Sequence, residues 1–257
     1  SILFSMGNAL EQTHRFSLVA PYAEDVKLII FNQVEDEFGY EYQMEKNGNE
    51  YFIKLSNINH GTLYGFKVRN ADSNSQEFDI ETIITDPYAK AMATQNHYAP
   101  INKSIVIKNK FDWGNNGNPT WVNISWEDLI IYEAHLKDLS AHHSSSAQNR
   151  GTYLGLIDEN QRGGINHIKD MGYNAVEFLP IFEFGNIEIP YLDSSQVVIN
   201  TWNPYATNHW GYMPSSFFAP EGNFSSNSNI KPMAWNGIDG SQINEFKSVV
   251  KKFHEEG

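Results

Sequence analysis

No cysteine occurs among the 257 residues, so disulfides, thiolate nucleophiles and cysteine-ligated metal are excluded. That absence leaves the compartment open, because secreted proteins can also lack disulfides. Positive charge is scarce. Eighteen Lys and Arg against 31 Asp and Glu give a net charge of −13, which argues against nucleic acid or an anionic membrane as partner and leaves neutral ligands open. No run approaches the roughly 18 consecutive apolar residues of a membrane span. The opening SILFSMGNALEQTHR has neither a basic start nor an apolar run of signal-peptide length, although a chain opening on Ser1 leaves room for a leader already removed. The cytoplasm is favoured slightly over secretion.

What remains is globular: 40% hydrophobic and 14% aromatic residues, on a chain long enough for two ordinary domains or one large one. The first 110 residues read as strands. Phe16, Leu18 and Ala20 alternate, as do Val26, Leu28 and Ile30, and further period-two runs cover Tyr40–Met44, Tyr51–Leu55 and Tyr64–Val68. Asn47-Gly48 and His60-Gly61 punctuate them as turns. Short strands at this spacing, with no convincing helix, predict a β-sandwich. Tyr22, Tyr40, Tyr42 and Tyr51 could each be a sugar platform or simply pack a strand face. The polar, Gly-rich run 114–119 (GNNGNP) suits a domain boundary.

Beyond it the pattern changes. Leu129, Ile130 and Ile131 form a continuous apolar run, as in a strand buried on both faces. Ile165, Ile168 and Met171 recur at helical spacing, with Gly172 placed to end that helix, and 175–181 reads as a second buried strand. Ile243, Phe246, Val249, Val250 and Phe253 line one face of the best helix in the chain, with Asp239 and Gln242 as a capping box. Residues 185–207 and 223–240 read as irregular loops. His142-His143 has no spaced ligand partner and reads as part of a solvated loop, so no metal site is expected. Glu177 reads as a polar strand residue and Glu183 as a loop residue; neither merits a catalytic role.

The stretch from Asn208 to Gly222, NHWGYMPSSFFAPEG, packs Trp210, Tyr212, Phe217 and Phe218 among glycines and prolines, and an irregular loop is expected. Rings on such a loop suit the flat face of a sugar. They would also suit a plug over the core beneath, which for composition alone is the plainer reading.

Three blocks carry a resemblance. The order APYAEDVKLIIF, NHGTLYGFKVRN, TDPYAKAM and KSIVIKNKFDW resembles the family 48 carbohydrate-binding module that precedes the catalytic barrel of debranching and branching enzymes. IIYEAHLKDLS resembles the first barrel strand of glycoside hydrolase family 13, the α-amylase family, and NHWGYMPSSFFAPEG resembles the WGY(D/M)P…PEG segment of its pullulanases, isoamylases and glycogen-debranching enzymes. The resemblance implies a multidomain β plus α/β chain. An immunoglobulin-like sandwich over 1–113 and a linker over 114–128 would precede the first two βα units of a (β/α)8 barrel, incomplete over 129–257.

It further implies an α-glucan as ligand (starch, glycogen, pullulan or a maltooligosaccharide) and cleavage of α-1,6 branch points with retention. Tyr212 would stack on the sugar before the scissile bond, flanked by Trp210 and His209. The family's nucleophile, acid/base and third aspartate lie on later strands, for which this sequence has no counterpart, so no catalytic residue and no cofactor is expected. The remainder of the barrel is then the expected partner. Two alternatives stand: a non-catalytic α-glucan-binding or regulatory protein, and a branching enzyme or α-amylase of the same family.

Overall fold

The computed structural model describes residues 13–70, 82–97, 102–108, 110–114, 122–159, 162–187 and 207–257. Most of the run 114–119, together with Pro190, Trp202 and Pro204 of the expected loop, lies outside them. The N-terminal part is built from β1 (Thr13–Val19), β2 (Ala23–Phe31), β3 (Tyr40–Gln43), β4 (Glu45–Asn47), β5 (Glu50–Ser56), β6 (Leu63–Asn70), β7 (Ile83–Ile84), β8 (Met92–Gln95) and β9 (Asn102–Ile105). One sheet has the order β1-β5-β4. In it Phe16 pairs with Ile53 and Leu18 with Tyr51.

The alternation drives the packing. Phe16, Leu18, Val26, Leu28, Tyr51, Tyr64 and Phe66 meet in one buried cluster between that sheet and a larger one, because residues two apart share a strand face. Tyr51 is a core residue, 2% exposed, with its hydroxyl donating to Ala23 O at 2.6 Å. It is therefore no sugar platform, whereas Tyr22, Tyr40 and Tyr42 are exposed. β2 is buried on both sides: Ile29 and Phe31 enter a second cluster that also holds Ile243, far along the chain.

That second cluster is where the N-terminal sheet meets the rest. The larger sheet runs β14-β8-β9-β6-β2-β3, with β7 on β6, and β14 is Trp235–Asn236. Its strands therefore come from both sides of the expected linker, and the expected loop 223–240 contains a strand of the N-terminal sheet. Lys103 rivets the same seam. Its buried ammonium donates to Val34 O at 2.7 Å and to Asp36 O, over the Phe31 and Trp235 rings.

The second part is mixed α/β. β10 (Ile131–Ala134) and β11 (Ala175–Phe178) are parallel, with Glu133 opposite Glu177. Glu177 is an exposed strand residue. The short α1 (Asp138–Ala141) follows β10, and α2 (Gly164–Asp170) ends at Gly172, whose φ of +83° matches the expected stop. The expectation that 129–131 is buried on both faces is not met: Ile130 and Ile131 are exposed, because the described sheet has two strands and both are edges.

α3 (Ser241–Glu256) packs Phe246, Val249 and Phe253 against Leu136, Tyr153, Leu156 and Phe178. Its start differs from the expected capping box. Gly240 caps it, Asp239 accepts from Ser241 N at 3.0 Å, and Gln242 turns inward to the carbonyls of Met92 and Gly237.

Two further expectations are corrected. The segment Pro214–Pro220 is not a loop but β13, antiparallel to β12 (Phe182–Phe184) with two register shifts. Its prolines are tolerated because they stand at the two ends of an edge strand. Glu183 is not a loop residue either. It sits in β12 and is fully buried.

Candidate functional site

The aromatic segment 207–213 lies at the carboxyl ends of the two parallel strands, where open α/β sheets place their ligands. His135 directly follows β10, and its Nε2 lies 2.6 Å from His209 O. Gly211 lies against Pro180, just past β11, and against the Phe184 ring. Asn208 latches the segment from both sides: its Nδ2 donates to Gly185 O at 2.9 Å, and its Oδ1 accepts from Gly211 N at 3.0 Å. Gly185 N donates to Met213 O at 2.8 Å and closes the frame.

Gly211 has a φ of +77°, and a Cβ there would stand 2.7 Å from Phe184 Cε1 and 2.9 Å from Pro180 Cβ. Backbone conformation and space both demand glycine. Gly211→Ala is expected to cost about 2–3 kcal/mol and to displace the rings that follow. Thermal unfolding of the variant checks it, and an unchanged melting temperature would show that the turn can relax.

On this frame Trp210 is 54% exposed and Tyr212 67%, so both ring faces stand clear of the core. His209 is half-exposed, stacked on the buried His135 ring at 4.3 Å between centroids and edge-on to Trp210 at 5.1 Å. Asp138, one turn past β10, reaches His209 Nε2 at 3.3 Å and His135 Nδ1 at 3.7 Å. Burial, reinforced by His209, pushes the His135 pKa down and favours the neutral ring. These three side chains are the group among the described residues that gathers metal-type donors, all within 4.8 Å of one another. Sequence reading named His209 and passed over His135 and Asp138, although a histidine and aspartate three apart after an apolar strand carry them to one face. His142 and His143 do not join the site. They stack on each other, and His142 Nδ1 bonds Ser144.

A second polar centre lies behind the loop. Glu183 and Glu221, both completely buried, accept backbone bonds across the β12–β13 pair: Gly222 N to Glu183 at 3.0 Å, Phe184 N to Glu221 at 3.0 Å and Asn223 N to Glu221 at 2.7 Å. Burial and the Glu221 charge push Glu183 well above the ordinary carboxylate range, and burial pushes Glu221 up to about 8. Both shifts favour the protonated, neutral carboxyls in this buried space. Glu221 is the acid of the PEG run; Glu183, 38 residues upstream, meets it only in the fold.

Comparison with known proteins completes the description. Residues 5–89 match the family model of carbohydrate-binding module 48 (isoamylase N-terminal domain). The chain is similar to the chloroplastic isoamylase SU1 of Zea mays, 29% identical over 243 residues, covering 88% of this chain and 27% of that protein. It is also similar to the glycogen operon protein GlgX homolog of Haemophilus influenzae, 30% identical over 267 residues, 96% of this chain and 35% of that protein. Among solved structures, a pullulanase variant from Paenibacillus barengoltzii complexed with maltotriose superimposes with a TM-score of 0.70 at 25% identity, covering 96% of this chain and 35% of that one. The chain thus spans about a third or less of the proteins it matches here.

Proposed function

We propose, for a chain that carries a carbohydrate-binding module 48 domain and matches glycoside hydrolase family 13 debranching enzymes over nearly its whole length, that it forms the N-terminal portion of an α-glucan debranching hydrolase. On this reading the two N-terminal sheets are an immunoglobulin-like sandwich. β10 and β11, with the helices after them, are then the first two βα units of a (β/α)8 barrel, whose active site lies at the carboxyl ends of its strands. The reaction is hydrolysis of α-1,6 branch points with retention. Its paired carboxylates, about 5–5.5 Å apart in such mechanisms, are supplied by barrel strands beyond those in this chain.

One observation carries the proposal: Tyr212 and Trp210 present exposed ring faces at the carboxyl ends of two parallel strands, on a frame rigidly latched by Asn208 and Gly211. Tyr212 stacks on the glucose ring before the scissile bond, Trp210 extends that wall, and the half-exposed His209 offers a ring nitrogen to a sugar hydroxyl. Relatives complexed with maltotriose and maltohexaose support the choice of ligand class.

The test is Tyr212→Ala in the full-length protein. An aromatic stacking contact is worth roughly 0.5–1.5 kcal/mol beyond buried area, so kcat/KM on branched α-glucan should fall up to about tenfold. Stability should change by less than about 1 kcal/mol, because the ring is exposed. Loss of stability at unchanged specific activity would identify Tyr212 as a packing residue and overturn the assignment.

A further inference from the structure

The chemistry of His135, Asp138 and His209 is not explained by sugar stacking. His135 Nε2 lies 2.6 Å from a backbone carbonyl, and a carbonyl only accepts, so Nε2 carries the hydrogen. In the neutral ring Nδ1 is then a bare lone pair. It is buried and has no hydrogen-bond partner among the described residues, yet it faces a carboxylate oxygen of Asp138 at 3.7 Å. Two acceptors directed at each other repel unless something positive lies between them. The other carboxylate oxygen lies 3.3 Å from His209 Nε2, so a second imidazole donor adjoins the same carboxylate.

We propose that His135, Asp138 and His209 form a binding site for a divalent transition metal of the zinc type, which ties the aromatic loop to the end of β10. Donor identity and spacing both fit. Imidazole and carboxylate suit zinc or cobalt better than calcium or magnesium. The three donor atoms lie within 4.8 Å of one another, and a metal with ligand bonds of about 2.0–2.1 Å would draw them to the roughly 3.3 Å separation of tetrahedral donors. A metal-binding histidine characteristically donates its other ring N–H to a carbonyl or carboxylate, as His135 does to His209 O. His209 and Asp138 have to adjust. The His209 ring stacks on His135 at an interplanar angle of 24°, so it must rotate to aim Nε2 at the metal, and the Asp138 carboxylate must turn to offer one oxygen to both; the exposure of both side chains allows that. Three protein ligands leave at least one position for water or a substrate oxygen beside Trp210.

The proposal goes beyond the sugar-binding reading and can be tested without activity. The purified chain is stripped with EDTA and dialysed, then titrated with Zn2+ by calorimetry and with Co2+ by visible absorption. One equivalent should bind, with Co2+ bands of tetrahedral or five-coordinate type, and Zn2+ should raise the melting temperature. His209→Ala and Asp138→Asn alter exposed side chains; each should weaken Zn2+ binding at least tenfold while circular dichroism stays unchanged. His142→Ala/His143→Ala, the nearby exposed histidine pair, should bind as the wild type does. Absence of stoichiometric uptake, unchanged affinity in His209→Ala, or loss confined to the His142/His143 variant would each overturn the site.

Discussion

In chelator-treated buffer, where no cation can stand in for a proton, the melting temperature should fall by at least about 10 °C as pH rises from 5 to 8, and Glu183→Gln should reduce that fall without abolishing it. The cause is the buried pair of Glu183 in β12 and Glu221 just past β13. Glu221 has a folded pKa of about 8 against an ordinary value of 4.5, and Glu183 is raised further. A carboxyl whose pKa is raised by folding binds its proton more tightly in the native state. Its contribution is therefore complete below about pH 4.5 and is lost as pH climbs through the folded value.

The groups facing the pair do not reverse this. Tyr153, whose hydroxyl donates to Glu221 O at 3.1 Å, is itself held neutral by burial, and Thr94, Asn186 and the backbone N–H groups only moderate the shift. No cation of the protein is among the causes. Glu221 alone should lose on the order of 3–4 kcal/mol, which for a chain of this size corresponds to roughly 10 °C, and Glu183 adds to it. Gln keeps the shape and removes one titration, leaving Glu221, raised by its own burial, to set the slope that remains. Parallel slopes for the two proteins would show that the pair is hydrated or otherwise neutralised.

The second large effect is expected at Asn96. Its side chain makes four bonds inside the seam: Nδ2 donates to Asn229 O at 2.7 Å and Lys231 O at 2.9 Å, and Oδ1 accepts from Asn186 Nδ2 at 3.1 Å and Asn236 Nδ2 at 2.9 Å. Asn96 stands just past β8, whereas every partner lies beyond the expected linker in the chain, Asn236 in β14 among them. It is 1% exposed, so water cannot replace what Ala removes. Asn96→Ala strands several buried polar groups at about 1–3 kcal/mol each; with partial relaxation the total should be about 3–5 kcal/mol. Unfolding should also split into two transitions, resolved by calorimetry, as β14 loses its hold on β8. A single transition displaced by less than about 1 kcal/mol would show that the apolar contacts of Ile243 and Trp235 suffice to keep the parts together.

Local signals were legible where their cause is local. Phe16/Leu18, Tyr64/Phe66 and the other period-two pairs predict both their strands and their shared core. Ile243 to Phe253 predicts α3, and Gly172 its predecessor's end, because helix and strand periodicities act within a few residues. The aromatic stretch announced a surface of rings before any coordinate was known. Residues 208–213 do form a loop, whereas Pro214–Pro220 is a strand that reads as loop because proline at a strand's ends looks in sequence like proline that breaks one.

What the chain alone could determine, then, was its elements, its hydrophobic faces and its exposed rings. Which acid meets which was left to tertiary structure. Glu183 comes within reach of the Glu221 charge only because β12 lies against β13, and Asp138 becomes a neighbour of His209 only because Asn208 and Gly211 fold the loop back onto β10. The same holds for Trp235 and Asn236, whose two-residue strand has no pattern of its own and exists because the unpaired edge of β8 needs its hydrogen bonds met. The reason is common to all three. Burial, pairing and pKa depend on groups brought together from dozens of residues apart, and a sequence window contains only one side of each such contact.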